Sequence, residues 1–184
     1  MIIGHLPVGF LLGRALGRLR VLDEARPRTI LGAAMLGAIF PDTDYIYSRF
    51  VDHGSIHHHL YWTHLPAFWA AVCAAALAAG VLHPRLRLPA AAWCFFAGVL
   101  SHLLCDSLIG DIYWLMPLRA EPFSLFEAPA RHSPWILNFI LHWVFALELL
   151  LAAAAGAVLH SDIRRHRRRR GHRRPGSVLG EWSA

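Results

Sequence analysis

Lysine is absent from this sequence, cysteine occurs three times, and charged residues make up only 16% of its 184 positions. Soluble domains carry roughly 25% charge. The three cysteines, Cys73, Cys94 and Cys105, show no CxxC spacing. That excludes a disulfide scaffold and leaves them as small apolar fillers. What fills the chain instead is apolar: 56% of residues, with Ala, Leu and Phe gathered into long runs rather than alternating. Such a composition excludes disorder, and a water-soluble domain of this size could not bury so much apolar surface. It is the composition of an integral membrane protein.

All eighteen basic residues are Arg, and eight of them lie between Arg164 and Arg174. Without that cluster the net charge of +6 would become −2. The basic character therefore belongs to the tail and is no signature of nucleic-acid binding; nucleic acid is not an expected partner.

The clearest candidate span covers 135–160, whose 26 residues would reach roughly 39 Å as a helix. A second runs from about 63 to 82, and a basic turn between Pro84 and Pro89 follows it. A third, 89–118, is interrupted only by His102, Asp106 and Asp111. Segments 2–12 and 29–40 are apolar but short of the roughly 20 residues a lone span needs. Arg14, Arg18, Arg20, Arg26 and Arg28 keep them apart, so they read as sheltered short spans or re-entrant arms. Pro7 and the five glycines up to Gly32 suit close packing. Five crossings put the arginines of 14–28, 85–87 and 164–174 on the cytoplasmic side together, as positive charge requires. Trp62, Trp114 and Trp135 then fall at the outer boundary as an aromatic belt. The expected architecture is an all-α, polytopic membrane bundle of about five helical segments, the first two short. It occupies 1–160, and a basic, disordered cytoplasmic tail occupies 161–184.

On this layout the ionisable residues of four separate stretches reach one depth near the outer face. His5 starts the first segment, and Asp42 and Asp44 end the second. His57, His58, His59 and His64 lead into the third, and His102 and Asp106 lie in the outer half of the fourth. Imidazole and carboxylate are ligands for zinc, manganese or iron, and close carboxylates can bridge two ions. His102 and Asp106, four apart, share one helical face. A bare Asp at membrane depth costs several kcal/mol and needs a partner. Each group also has a plainer reading: a capped turn for Asp42 and Asp44, an exposed loop for His57–His59, a structural pair for His102 and Asp106. His142 and Glu148 could line the same cavity or bond between helices.

Taken together, His5, "PDTD" (41–44), "HLYWTH" (59–64), "SHLLCDSL" (101–108) and "YWLMPL" (113–118) resemble the YdjM-type family. These are small bacterial inner-membrane proteins described as metal-dependent hydrolases and also labelled LexA-binding. The family pattern resembles an early His, then PD-x-D, H-R-G-x-T-H-S and a later S-H-x-x-x-D with a downstream Gly and a Pro-Phe pair. His5, Pro41, Asp42, Asp44, His59, Thr63, His64, Ser101, His102, Asp106 and Pro117 match it. Leu60 and Tyr61 stand where the pattern has Arg-Gly, Leu65 where it has Ser, and Leu118 where it has Phe. The missing Arg implies a different substrate or lost activity if relatives use it to clamp an anion.

The expected function is a metal-assisted hydrolase of the bacterial inner membrane, multi-pass, with its site toward the outer face and its C-terminus cytoplasmic. The first ligand set is His5, Asp42, His64, His102 and Asp106, with Asp44 and His59 as further ligands or a second-metal shell. Asp44 is the expected general base, and zinc the foremost cofactor, ahead of manganese or iron. An ester or phosphodiester of a lipid or lipid-linked compound is the expected substrate, because the site lies flush with the membrane. Two other classes compete. One is a non-catalytic scaffold whose tail from Arg164 to Arg174 binds anionic lipid or an acidic partner. The other is a metal-ion transporter or sensor, which needs polar groups continuing through the bilayer.

Overall fold

A computed structural model describes residues 1–171 apart from 2, 23, 24, 128 and 135. Trp135 and positions 172–184, with the last arginines of the tail, lie outside the described residues. The described chain is all-α: α1 His5–Leu16, α2 Pro27–Ile39, α3 Thr43–Phe50, α4 Pro66–Leu82, α5 Ala90–Asp106, α6 Ile136–Ile140 and α7 Trp143–Gly171. Prolines set several starts. Pro27 and Pro66 occupy the first turns of α2 and α4, and Pro89 is the residue before α5. There the missing N–H costs nothing and the fixed φ suits the helix. An isolated antiparallel bridge between Ile112 and Phe123 ties the long connection after α5 back on itself.

The centre of the molecule is made by α1, α2 and α5, with the densest packing between α2 and α5. Each presents a stripe of residues four apart. On α1 the buried residues are His5, Gly9 and Gly13, and on α2 they include Ile30, Ala34 and Ala38. On α5 they include Cys94, Gly98, His102 and Asp106. Residues four apart stack on one helical face, so small side chains along the stripe let the backbones meet. The approach is closest at Gly37 and Gly98. A Cβ on Gly37 would lie 2.0 Å from the Phe95 carbonyl oxygen, and one on Gly98 2.3 Å from that of Ala34. Small residues occupy one end of the stripes on α1 and α5, and chemistry-bearing residues occupy the other.

Several boundaries differ from expectation. The 135–160 span is broken: α6 ends at Ile140 and α7 begins at Trp143. His142 sits in the break, its Nδ1 accepting the Val144 N–H, a local bond that competes with helix continuation. The 40–61 connection contains α3, with Asp44 and Ser48 buried on one face while Tyr45, Ile46, Tyr47 and Phe50 are exposed. The helix preceding the tail does not stop at 160 but runs to Gly171, through the first eleven residues of the expected tail. Gly32, counted with the packing glycines, has nothing within 4 Å of where its Cβ would be.

Among the described residues one helix, Trp143–Arg168, is long and apolar enough to cross a membrane. Helices α4 and α5 have 17 residues each, and α1 and α2 have 12 and 13.

Candidate metal centre

Four chain segments bring their polar residues to one end of the bundle. His5 opens α1, while Asp42 follows α2 across the turn at Pro41. His59 and His64 come from two 3-10 turns, His58–Leu60 and Trp62–His64, that precede α4. His102 and Asp106 are the last stripe residues of α5. All but Asp42 are buried; its side chain is 42% exposed and forms the accessible edge of the group.

Asp106 is the hub. Its Oδ2 lies 3.1 Å from His102 Nε2, 3.6 Å from His64 Nε2 and 3.7 Å from His59 Nε2, and its Oδ1 lies 3.1 Å from His5 Nε2. The Met1 α-ammonium also pairs with Oδ1. Asp42 faces the same imidazoles from the other side, with Oδ1 3.7 Å from His102 and 3.9 Å from His64, and Oδ2 4.0 Å from His5.

Three of the four rings are held from behind. His102 Nδ1 lies 2.8 Å from the Ala38 carbonyl oxygen and His59 Nδ1 3.1 Å from that of Asp111. A carbonyl only accepts, so in both rings Nδ1 carries the proton and the Nε2 lone pair points inward. His64 Nδ1 lies 2.5 Å from Asp44 Oδ2, and Thr63 Oγ1 donates to the same oxygen. Such outer partners fix the tautomer and raise the basicity of metal-ligating histidines. Gly110 contributes by omission: a Cβ there would lie 2.8 Å from His59 Cε1.

The donor set fits a divalent cation on three observations. His64 Nε2 and His102 Nε2 face each other at 3.1 Å, a distance at which the inward lone pair of His102 meets either a proton carried by His64 or a cation between the two rings. His5 has both ring nitrogens buried without a hydrogen-bond partner, although Nε2 is 3.1 Å from a carboxylate oxygen. Close approach without hydrogen-bond alignment is the relation of two ligands to one ion. Finally, His64 Nε2, His102 Nε2 and Asp106 Oδ2 form a triangle with sides of 3.1, 3.1 and 3.6 Å. Ligand bonds of about 2.0–2.2 Å to a tetrahedral ion imply edges of roughly 3.3–3.6 Å.

Burial keeps His58 and His59 neutral, the form that binds metal, whereas His64, despite its burial, is raised to about 9 by Asp106 and Asp44 and takes up an ion only as it gives up its proton. His59 is pushed down to about 2 against the pull of Asp106, and His58 to about 4, with His64 and His57 adding to the effect. His58, His59 and His64 also form a second group with donor atoms within 4.8 Å of one another, beside the group of His5, Asp42, His102 and Asp106. His57 stacks on His58 at the exposed side of the loop.

Asp44, the expected general base, lies behind His64. Its Oδ2 is held by Thr63 and His64, and its Oδ1 is buried without a hydrogen bond. It orients His64 from behind rather than facing the hub. At the departures from the family pattern, Leu60 is exposed and the Tyr61 hydroxyl donates to Asp52.

Of the two roles open to Glu148 on α7, lining the cavity or bonding between helices, the structure shows it in the second. It is buried, and its Oε2 accepts the N–H groups of Ile3 at 2.7 Å and Gly4 at 3.0 Å. Helix α1 has no side-chain cap of its own, so a neighbouring helix caps it, immediately before His5. A Glu at this position in a 26-residue apolar run signals a buried partner, but nothing in the run indicates which. Glu148→Leu strands a buried N–H at Gly4 and a part-buried one at Ile3, at about 1–3 kcal/mol each. A thermal melt in detergent is expected to show a loss of about 2–4 kcal/mol, largely restored in Glu148→Gln, whose amide oxygen still accepts.

Comparison with curated proteins returns no match, and comparison with solved structures returns none. The profile of the family described as "YdjM inner membrane protein" matches residues 1–173. With nearly its whole length covered, and with the matched His and Asp residues gathered at one end of the bundle, the chain belongs to the YdjM inner-membrane family.

Proposed function

We propose that the protein is a multi-pass inner-membrane hydrolase that uses a divalent metal ion, zinc foremost, to cleave an ester or phosphodiester of a lipid or lipid-linked substrate. The observation that carries this reading is the convergence of four imidazole Nε2 atoms on Asp106, three of them from rings tied at Nδ1. His64, His102, Asp106 and Asp42 would hold the ion. When bound, such an ion supplies Lewis acidity to the scissile group and activates water at neutral pH. The chain's own residues do the rest. The ties at Nδ1 keep the imidazoles in register, burial of Asp106 excludes bulk water, and Asp42 marks the accessible edge. Asp44, whose Oδ2 is taken by Thr63 and His64, would hold His64 in place rather than serve as a separate base.

Membrane context supports an amphiphilic substrate. Leu36 and Ile39, on the last turn and a half of α2 before Asp42, are exposed, as are Ile3 and Leu6 beside His5. Helix α4 is apolar all round, with Gly80 its one buried residue, a pattern that suits surrounding lipid. Arg14, Arg85, Arg87 and the α7 arginines lie at the ends of their segments away from the centre, which supports an orientation with the centre toward the outer face and the C-terminus in the cytoplasm. Arg164 and its neighbours would then meet anionic lipid. A transport path finds little support. Among the described residues, the buried polar side chains cluster at the Asp106 end, and α5 carries no Asp, Glu, His or Arg from Ala90 to Ser101.

The test is hydrolysis of phospholipids, lipid phosphodiesters and short water-soluble esters by detergent-purified protein, with and without a chelator. Turnover of a lipid substrate that chelation abolishes and zinc or manganese restores is expected. Turnover indifferent to chelation would overturn the metal-dependent reading.

A further inference from the structure

Resting on the metal-dependent reading above, we infer that the centre holds two ions side by side, bridged by Asp106 and Asp42, with His5 as the imidazole that serves the second. Both carboxylates divide their oxygens in the same way. Asp106 turns Oδ2 to His102, His64 and His59 and Oδ1 to His5; Asp42 turns Oδ1 to His102 and His64 and Oδ2 to His5. A carboxylate shared by two ions offers one oxygen to each.

The ring geometry separates this arrangement from a single ion gripped by every donor. An imidazole binds a metal along its lone pair, in the plane of the ring. His5 and His102 are stacked, with centroids 3.8 Å apart and planes only 18° from parallel. Their in-plane positions therefore run beside each other. One ion cannot lie in both planes at bonding distance without turning a ring, and His102 is fixed by the Ala38 carbonyl. Two ions, one in each plane, need no rotation, and the stacking distance matches the about 3.5–4 Å spacing of two-metal sites. The two faces differ in completeness. The His102 face has two imidazoles and two carboxylate oxygens, with His59 behind them, whereas the His5 face has one imidazole and two oxygens. The second face is thus the less complete one, and an ion there would take the place that the Met1 α-ammonium holds on Asp106 Oδ1. Its attraction for positive charge is visible in the Met1 α-ammonium, which sits on the same Asp106 oxygen.

Full-length protein in detergent, stripped of metal and titrated with Mn²⁺, tests this directly. Bound manganese is counted by plasma mass spectrometry and its coupling read by electron paramagnetic resonance. Wild type is expected to take up two equivalents and show a broadened, exchange-coupled spectrum. His5→Ala is expected to bind one, with the six-line signal of an isolated ion and affinity for that ion within a few-fold of wild type. His5→Gln should behave alike, and a retained one-equivalent site in either variant reports that the bundle has folded. One equivalent in wild type, whether or not His5→Ala removes it, overturns the two-ion arrangement while leaving a metal-dependent hydrolase intact. No bound manganese or zinc in wild type overturns both.

Discussion

Asp106→Asn is expected to remove metal binding by more than about 100-fold, the upper end of what loss of an outer partner alone costs. The substitution keeps the shape of the side chain and deletes its charge. Four imidazole nitrogens lie within 3.7 Å of the two oxygens it alters. An amide presents one carbonyl oxygen and an NH2 that donates to the inward lone pairs of His59 and His102, so it can neither bridge ions nor supply charge, and it occupies the lone pairs an ion would use. Elemental analysis and calorimetric titration of purified variant and wild type measure the effect. Retention of wild-type metal content by Asp106→Asn would show that the hub is a structural cluster of histidines and not a metal site. Folding is checked separately by the far-UV spectrum of the chelated forms, which should be the same for both.

Gly98→Ala is expected to cost about 3 kcal/mol, the upper part of the usual range for overpacking, and to disturb the centre as well. The new Cβ would meet the Ala34 carbonyl oxygen at 2.3 Å, the Ala38 nitrogen at 2.8 Å and Gly37 Cα at 3.0 Å. All three are backbone atoms, so no rotamer change relieves the contact and the α2 and α5 axes must part. Ala38 supplies the carbonyl that holds His102 Nδ1, and the same displacement therefore loosens the ring. Gly32→Ala is the internal control. Its Cβ meets nothing within 4 Å, and the better helix propensity of Ala should stabilise α2 by up to about 1 kcal/mol. Thermal melts of the two variants should move in opposite directions. If Gly98→Ala melts like wild type, the close approach of α2 and α5 does not hold the bundle together.

Much of the centre was legible because its members are chemically conspicuous in an apolar chain. His5, Asp42, His59, His64, His102 and Asp106 stand out against Ala and Leu, and the spacing of His102 and Asp106 already put that pair on one face. What the residues could not convey was which atoms support them from behind. The carbonyls of Ala38 and Asp111 belong to every residue type equally, so no side chain announces them. Asp44 shows the same gap. A carboxylate two positions from Asp42 suggests a free base, and only the approach of Thr63 and His64 from another segment turns it into an outer partner. The packing of α2 on α5 was partly hidden for a related reason. Early glycines drew attention to 4–32, whereas the tightest contact uses Gly37 and Gly98, whose importance lies in what faces them. Helix α3 escaped notice because its eight residues, with a polar face at Asp44 and Ser48, read as a loop between longer apolar runs.

Helices α1 and α7 are fastened to each other twice. Near the centre Glu148 holds the Ile3 and Gly4 amides, and toward the other end Arg14 pairs with both oxygens of Asp162 at 2.8 Å. The numbering rises together along the two ties, so the helices run parallel, like the rails of a ladder with a rung at each end. A strut of this kind has little slack along its length. The arginine-bearing end of α7 cannot be pulled or pushed along its axis without straining the rung beside His5, and the height of that imidazole is set from both ends of the molecule.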